Sequence, residues 1–170
     1  MSEVQYLINE QKKPGFELTK VSEFIFEGGA IARIDTIKIK IPKCFVLITA
    51  RNDGKLVGTA ALKNDQEYAR NCFSKRKANA QAYFDNNKKW LDLGYIHVAE
   101  NERGKGYARE LVSRAIEQFN TCEQKANYSV FATTHSDSMK SILECNSFKQ
   151  VGEQWLTDDR QNLLCLFVLC

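Results

Sequence analysis

Proline and histidine are scarce in this chain, two of each in 170 residues. The nine glycines are scattered along it rather than gathered. That scarcity leaves no linker, no low-complexity tract and no mark of a domain boundary, and no internal repeat shows. His97 and His135 are too few for a zinc site of ordinary ligand spacing. The six cysteines (Cys44, Cys72, Cys122, Cys145, Cys165 and Cys170) include no C-x-x-C pair, so no metal is expected. The chain opens without a signal-peptide pattern, which argues against a disulfide framework. The thiols are therefore read as reduced, several of them buried, in a cytoplasmic protein. The longest apolar run, residues 163–170, falls far short of the roughly 20 residues that cross a bilayer, and no membrane partner is expected. A net charge of +3 without a dense basic stripe argues against a nucleic-acid partner. A few local positive groups still suit a small anionic ligand.

What is present is an ordinary globular composition, 44% apolar and 26% charged, in a length that fits a single domain, residues 1–170. The first 20 residues are polar and read as loosely held or as an edge strand. Residues 21–27 (VSEFIFE) read as a helix stopped by Gly28 and Gly29. Residues 31–41 fit a helix face through Ile31, Ile34, Ile37 and Ile41, or a strand through Ile37, Ile39 and Ile41; the helix is preferred, ending before Pro42. Residues 45–50 and 55–62 make a hairpin around Asn52-Asp53-Gly54. Residues 64–89 are polar, charged and partly helical in period. Residues 90–99 form a strand. Residues 109–119 form a helix with Leu111, Val112, Ala115, Ile116 and Phe119 on its apolar side. A strand at 128–133, a helix at 137–145 and an antiparallel pair at 148–156 and 163–169 complete the chain. Local hairpins mixed with helix crossovers predict an α/β chain, a mixed sheet with helices on both faces.

The most informative stretch is VAENERGKGYA, residues 98–108. A strand ends near Ala99, a short turn carries Arg103, Gly104, Lys105 and Gly106, and a helix opens at about Tyr107. The first N–H groups of a helix lack intrahelical partners, and its dipole is positive there. Together these make an anion site suited to a pyrophosphate. Gly104 and Gly106 let backbone approach a phosphate with no Cβ between, and Ala108 keeps the first turn open. Arg103, Lys105 and Arg109 add positive charge. Neither a G-x-G-x-x-G fingerprint nor a GK[ST] phosphate loop is present.

Arg103-Gly104-Lys105-Gly106-Tyr107-Ala108 matches the signature [QR]-x-x-G-x-[GA]. With FVLITARNDGKLVGTAALK before it and VFATTHSDSMKSILECNSFKQVG after it, the stretch resembles the GNAT N-acetyltransferase superfamily over about residues 45–169. The resemblance implies a GNAT-like α/β fold, with a central mixed, mostly antiparallel sheet of six to seven strands. It divides the domain into an acceptor-side part, residues 1–44, and a core, residues 45–170, that binds acetyl-CoA. It implies that the pyrophosphate of coenzyme A sits on the backbone of residues 103–108. The pantetheine arm would follow the splayed end of the 90–99 strand past Ile96 and Val98, and the Val98 amide would polarise the thioester. Ser138 and Ser141 stand near where the family often has an Asn touching that arm, and the Asn itself is missing.

The implied reaction is acetyl transfer from acetyl-CoA to a primary amine on a small molecule or a protein. A non-catalytic acyl-CoA-binding module is the alternative, and a factor acetylating charged tRNA is a third reading. Direct transfer moves two protons, one off the acceptor ammonium and one onto the departing thiolate. Asp92, where many relatives carry Glu, is the candidate base. Strand alternation groups it with Gly94, Ile96 and Val98. The family's acid lies in Y-E-x-x-G-F, which here reads Leu143-Glu144-Cys145-Asn146-Ser147-Phe148. The tyrosine is absent, so Tyr95, His97 or solvent must stand in for it. Cys145 has no histidine near it in sequence, which argues against an acyl-enzyme. In residues 64–89, Arg70, Lys75, Arg76 and Lys77 interleave with Tyr68, Phe73, Tyr83 and Phe84. That pattern reads as a lid or, preferably, as a solvated helix packed by its aromatic side. Dimers are common among relatives, so the resemblance also admits a homodimer.

Overall fold

The computed structural model describes residues 4–29 and 31–170; the N-terminal reading of residues 1–3, and Ala30, lie outside the described residues. Asp53 and Gly54 take φ of 48° and 76° and close a two-residue hairpin between β2 (Val46–Asn52) and β3 (Lys55–Asn64), with Asn52 opposite Lys55. This turn needs left-handed φ at both positions, which Asp-Gly supplies. Strand β1 (Gln5–Ile8) runs antiparallel along β2, so the edge-strand reading of the N-terminal segment holds. Further along are β4 (Lys89–Val98), β5 (Tyr128–Thr134), β6 (Phe148–Leu156) and β7 (Leu163–Leu169). The seven strands form one sheet in the order β1-β2-β3-β4-β5-β7-β6, antiparallel for the most part, with β4 and β5 parallel. The expected fold class is the one observed.

The chain divides into two compact units, Met1–Lys63 with Leu93–Thr121, and Asn64–Asp92 with Cys122–Cys170. In the first, α1 (Leu18–Glu27) starts earlier than the apolar run suggested and ends where the Gly28 and Gly29 amides bond back to Ile25 and Phe26 carbonyls. Helix α2 (Ile34–Lys40) is followed by a 3-10 turn, Ile41–Lys43, that contains Pro42. Ile39 is 61% exposed while Ile37 and Ile41 are buried, a pattern a helix produces and a strand does not. Val21, Ile25, Ile37 and Ile41 pack with Leu47, Ala61 and Tyr95. Helix α4 (Tyr107–Asn120) buries all five residues expected on its apolar side. Its Leu111 meets the sheet at Gly58, which pairs with Ala50, whereas Leu47 pairs with Ala61. The alternation of side chains along β2 and β3 therefore puts α4 on the opposite face from α1 and α2.

In the second unit, α3 (Gln66–Phe73) is capped by Asp65, whose carboxylate accepts from the Tyr68 amide at 3.3 Å. Helix α3 buries Ala69, Cys72 and Phe73 in a core shared with Trp90, Phe131, Val151 and Trp155. Phe84 stacks on Trp90 with centroids 5.2 Å apart and planes 10° apart. Residues 64–89 therefore anchor a core through Tyr68, Phe73 and Phe84, as the preferred reading had it, whereas Tyr83 is 58% exposed and Arg70, Lys75 and Arg76 are exposed with it. Helix α5 (Asp137–Cys145) is capped by Ser136, which accepts from the Met139 amide. None of the six cysteines is in a disulfide; Cys44, Cys72 and Cys165 are buried and Cys145 is exposed. Among the described residues, no helix is long and apolar enough to cross a membrane.

Candidate functional site

After β4 the chain makes a 3-10 turn, Glu100–Glu102, and then enters α4 through two left-handed glycines, Gly104 at φ 79° and Gly106 at φ 85°. Gly106 is the N-cap of α4 and, as a glycine, offers no side chain to the orphan amides of the first turn. A Cβ built on either glycine would meet nothing within 4 Å. The backbone is thus laid bare in front of a helix N-terminus, an arrangement that fits the pyrophosphate of coenzyme A. Arg103 and Arg109 are exposed beside it. The Arg103 Nε donates to the Val98 carbonyl at 3.4 Å, tying the loop to the strand end. Lys105 is paired with Glu102 at 2.8 Å, so its charge is less available to a ligand than the sequence implied.

Strand β4 does not run evenly to this loop. Tyr95 takes φ of 54°, a conformation that bulky residues adopt only when the surroundings hold them there. The buried Thr59 hydroxyl donates to the Tyr95 carbonyl at 2.8 Å, and the Lys63 ammonium lies 4.4 Å over its ring. One residue of β3, Val57, is left out of register with β2, and its carbonyl accepts the Ala99 amide at 3.0 Å. The strict alternation that would group Asp92 and Gly94 with Ile96 and Val98 is therefore interrupted at Tyr95. Tyr95 itself is a buried ring in the cluster beneath α1 and α2.

His97 is half-buried, its ring edge-on to Phe24 at 4.7 Å and 61°. A methyl group on Gly28 would come within 2.8 Å of its Nδ1. Burial holds the His97 imidazole below the ordinary histidine range; Arg103 pushes the same way and Glu27 opposes. In the other unit, Asp92 is only 5% exposed and its backbone pairs with Phe131. Burial, then the neighbouring Cys72 and Asp92, raise the Tyr68 phenol, while its bond to the Thr133 hydroxyl at 2.9 Å works against them. The Cys72 thiol is pushed up to about 12, chiefly by burial. Among the described residues, no cluster of His, Cys, Asp and Glu is placed to hold a metal ion.

The sequence profile described as "Acetyltransferase (GNAT) family" matches residues 16–143. The chain belongs to this family. A search of curated proteins finds no match. Among solved structures, the chain is similar in fold to Arabidopsis thaliana NAA60 in complex with a bisubstrate analogue, at 15% identity, 98% coverage of each chain and TM-score 0.68. It is similar to the NatC complex bound to Gag peptide and CoA, at 13% identity, 98% coverage of each chain and TM-score 0.67. An acyl-CoA N-acyltransferase from Pseudomonas aeruginosa matches at 13% identity and TM-score 0.64, covering 99% of this chain and 100% of the other.

Against the GNAT pattern, α5 and its exit show where this member departs. Leu143, at the family's tyrosine position, is a fully buried core residue. Ser147, at the glycine position, keeps the glycine-like backbone, with φ of 65°. Ser147→Gly is expected to stabilise the fold by about 0.5–1 kcal/mol, since the left-handed cost outweighs the added freedom of the unfolded chain; a denaturant midpoint shifted upward at unchanged slope checks it. Ser138 and Ser141 are exposed on α5, but Ser138 Oγ shares a hydrogen with Ser136 Oγ at 2.8 Å and Ser141 Oγ donates to the Asp137 carbonyl at 3.2 Å. Sequence reasoning missed that the His97 ring occupies the space a side chain at Gly28 would need. The Gly28-Gly29 pair was the available signal, and it reads in sequence only as a helix stop.

Proposed function

We propose that this GNAT member is an N-acetyltransferase that moves the acetyl group of acetyl-CoA to a primary amine by direct transfer. One observation carries the reading: α4 opens on two left-handed glycines with free space where side chains would stand. The amides of the first turn, with Arg103 and Arg109, hold the pyrophosphate. The arm lies along Ile96 and Val98, and the Val98 amide stabilises charge on the carbonyl oxygen. Bound acetyl-CoA supplies an activated acetyl thioester. The similar NAA60 and NatC structures were solved with a bisubstrate analogue and with a peptide and CoA, which supports a peptide amine among the acceptors to be tried. Six cysteines outside any disulfide suit a reducing compartment such as the cytoplasm.

The acceptor ammonium must lose a proton and the departing thiolate must gain one. Asp92, Tyr95 and His97 all lie on β4, in surroundings that differ sharply. The test of the reaction is release of free thiol from acetyl-CoA in the presence of alkylamines, amino-acid amides and short peptides. Amine-dependent release with one class is the expected result. Binding of acetyl-CoA without release on any amine would instead mark a non-catalytic acyl-CoA-binding module.

A further inference from the structure

The acceptor-side base needs three properties. It must be reachable by an incoming amine, it must be unprotonated near neutral pH, and it must lie close to the strand end that carries the thioester. Asp92 fails the first, being 5% exposed and close enough to Tyr68 and Cys72 of α3 to raise both of their pKa values. Tyr95 fails it too, its ring buried among Val21, Ile25, Ile37 and Leu47. His97 is half-buried, sits next to Val98 in the chain, and is tied to the phosphate loop through the bond from Arg103 to the Val98 carbonyl.

We infer that His97 takes the proton from the acceptor ammonium, seated for it by Phe24 and Gly28 at the carboxyl-terminal end of α1. The inference rests on the acetyl transfer proposed above. The seat is specific, because position 28 must lack a Cβ for the ring to lie where it does. The charged groups facing the ring are Glu27 on α1 and Arg103 on the loop after β4. The last turn of α1 carries no basic residue, so its partial negative charge and the Glu27 carboxylate both favour a cation there. The imidazole, kept below the ordinary histidine range, is neutral at pH 7 and free to accept. The acceptor R–NH3+ passes one proton to His97. The amine lone pair then bonds the acetyl carbon as the carbon–sulfur bond breaks. The nitrogen's second proton goes to the departing thiolate, giving the free thiol, and His97 returns its proton to water.

The test compares His97→Gln, Gly28→Ala and Asp92→Asn with the unaltered protein. Acetyl-CoA affinity is measured by calorimetry, kcat/KM for thiol release is followed against pH, and the two histidines are titrated by NMR without ligand. In the unaltered protein, His97 should titrate below the ordinary histidine range, and activity should rise with pH through that same midpoint. His97→Gln should abolish this acid limb and lower kcat/KM about a hundredfold or more. Gly28→Ala should lower it roughly tenfold by displacing the ring. Both variants should keep acetyl-CoA affinity within about twofold, whereas Asp92→Asn should retain the acid limb. A His97→Gln protein that keeps the limb, or an Asp92→Asn protein that loses it, overturns the assignment. An unaltered protein that binds acetyl-CoA and releases no thiol with any amine overturns the transfer reading and this inference together.

Discussion

Gly106→Glu is expected to lower acetyl-CoA affinity at least about a hundredfold, roughly 3 kcal/mol, in a calorimetric titration. Gly106 stands at φ 85° as the N-cap of α4, with open space where a side chain would go. Any side chain there fills the ground a phosphate would occupy, and a carboxylate adds like charge at the spot where the helix dipole favours an anion. The fold itself should survive. The left-handed conformation costs a non-glycine residue about 1–2 kcal/mol, a Tm loss of roughly 2–8 °C in a domain of this size. Loss of binding in a protein that still melts cooperatively is the expected pairing. Unchanged affinity would remove the loop from the cofactor site.

The second large effect falls on stability. Gly152→Ala is expected to destabilise the protein by at least about 3 kcal/mol, lowering Tm by roughly 6–12 °C. Gly152 has φ of 68°, and its Cβ would stand 2.0 Å from the Ala78 carbonyl oxygen and 2.8 Å from the Ala80 Cβ. Neither neighbour can swing aside, because the first is backbone. That same carbonyl accepts the Glu153 amide at 2.6 Å, and Asn79 Nδ2 donates to Glu153 at 3.2 Å. Strand β6 leaves register with β7 between Val151 and Trp155 to make room for this docking. Denaturant unfolding of the variant checks the magnitude. A midpoint within error of the unaltered protein would mean that the segment around Ala78 shifts at little cost.

These two glycines show how far the sequence alone could be read. The turn at Gly106 was legible because it is local: a strand end, a two-glycine turn and an amphipathic helix follow one another within a dozen or so residues, and each has a short-range signature. The Asp53-Gly54 hairpin and the buried side of α4 were legible for the same reason. Gly152 was not, because its need for a missing Cβ comes from Ala78, which no periodicity links to it. The alternation along β4 was misread for a related reason. Alternation is a property of a regular strand, and the left-handed kink at Tyr95 is held by Thr59 and Lys63 from β3. The site divides along the same line. The proposed phosphate cradle is drawn from consecutive residues, whereas the choice among Asp92, Tyr95 and His97 turns on which of them tertiary packing buries. Residues 64–89 offered both a lid and an anchored helix, and the contact of Phe73 with Trp90 and Phe131 decided for the helix.

The most direct measurement is a pair of calorimetric titrations of the full chain, one with acetyl-CoA and one with S-acetylpantetheine, which shares the thioester and the arm but has no phosphates. The proposed phosphate cradle predicts saturable binding of acetyl-CoA, and binding of S-acetylpantetheine weaker by about a hundredfold or more, since in it the helix N-terminus and its arginines would hold the pyrophosphate. Equal affinity for the two, or no binding of acetyl-CoA at all, would contradict it.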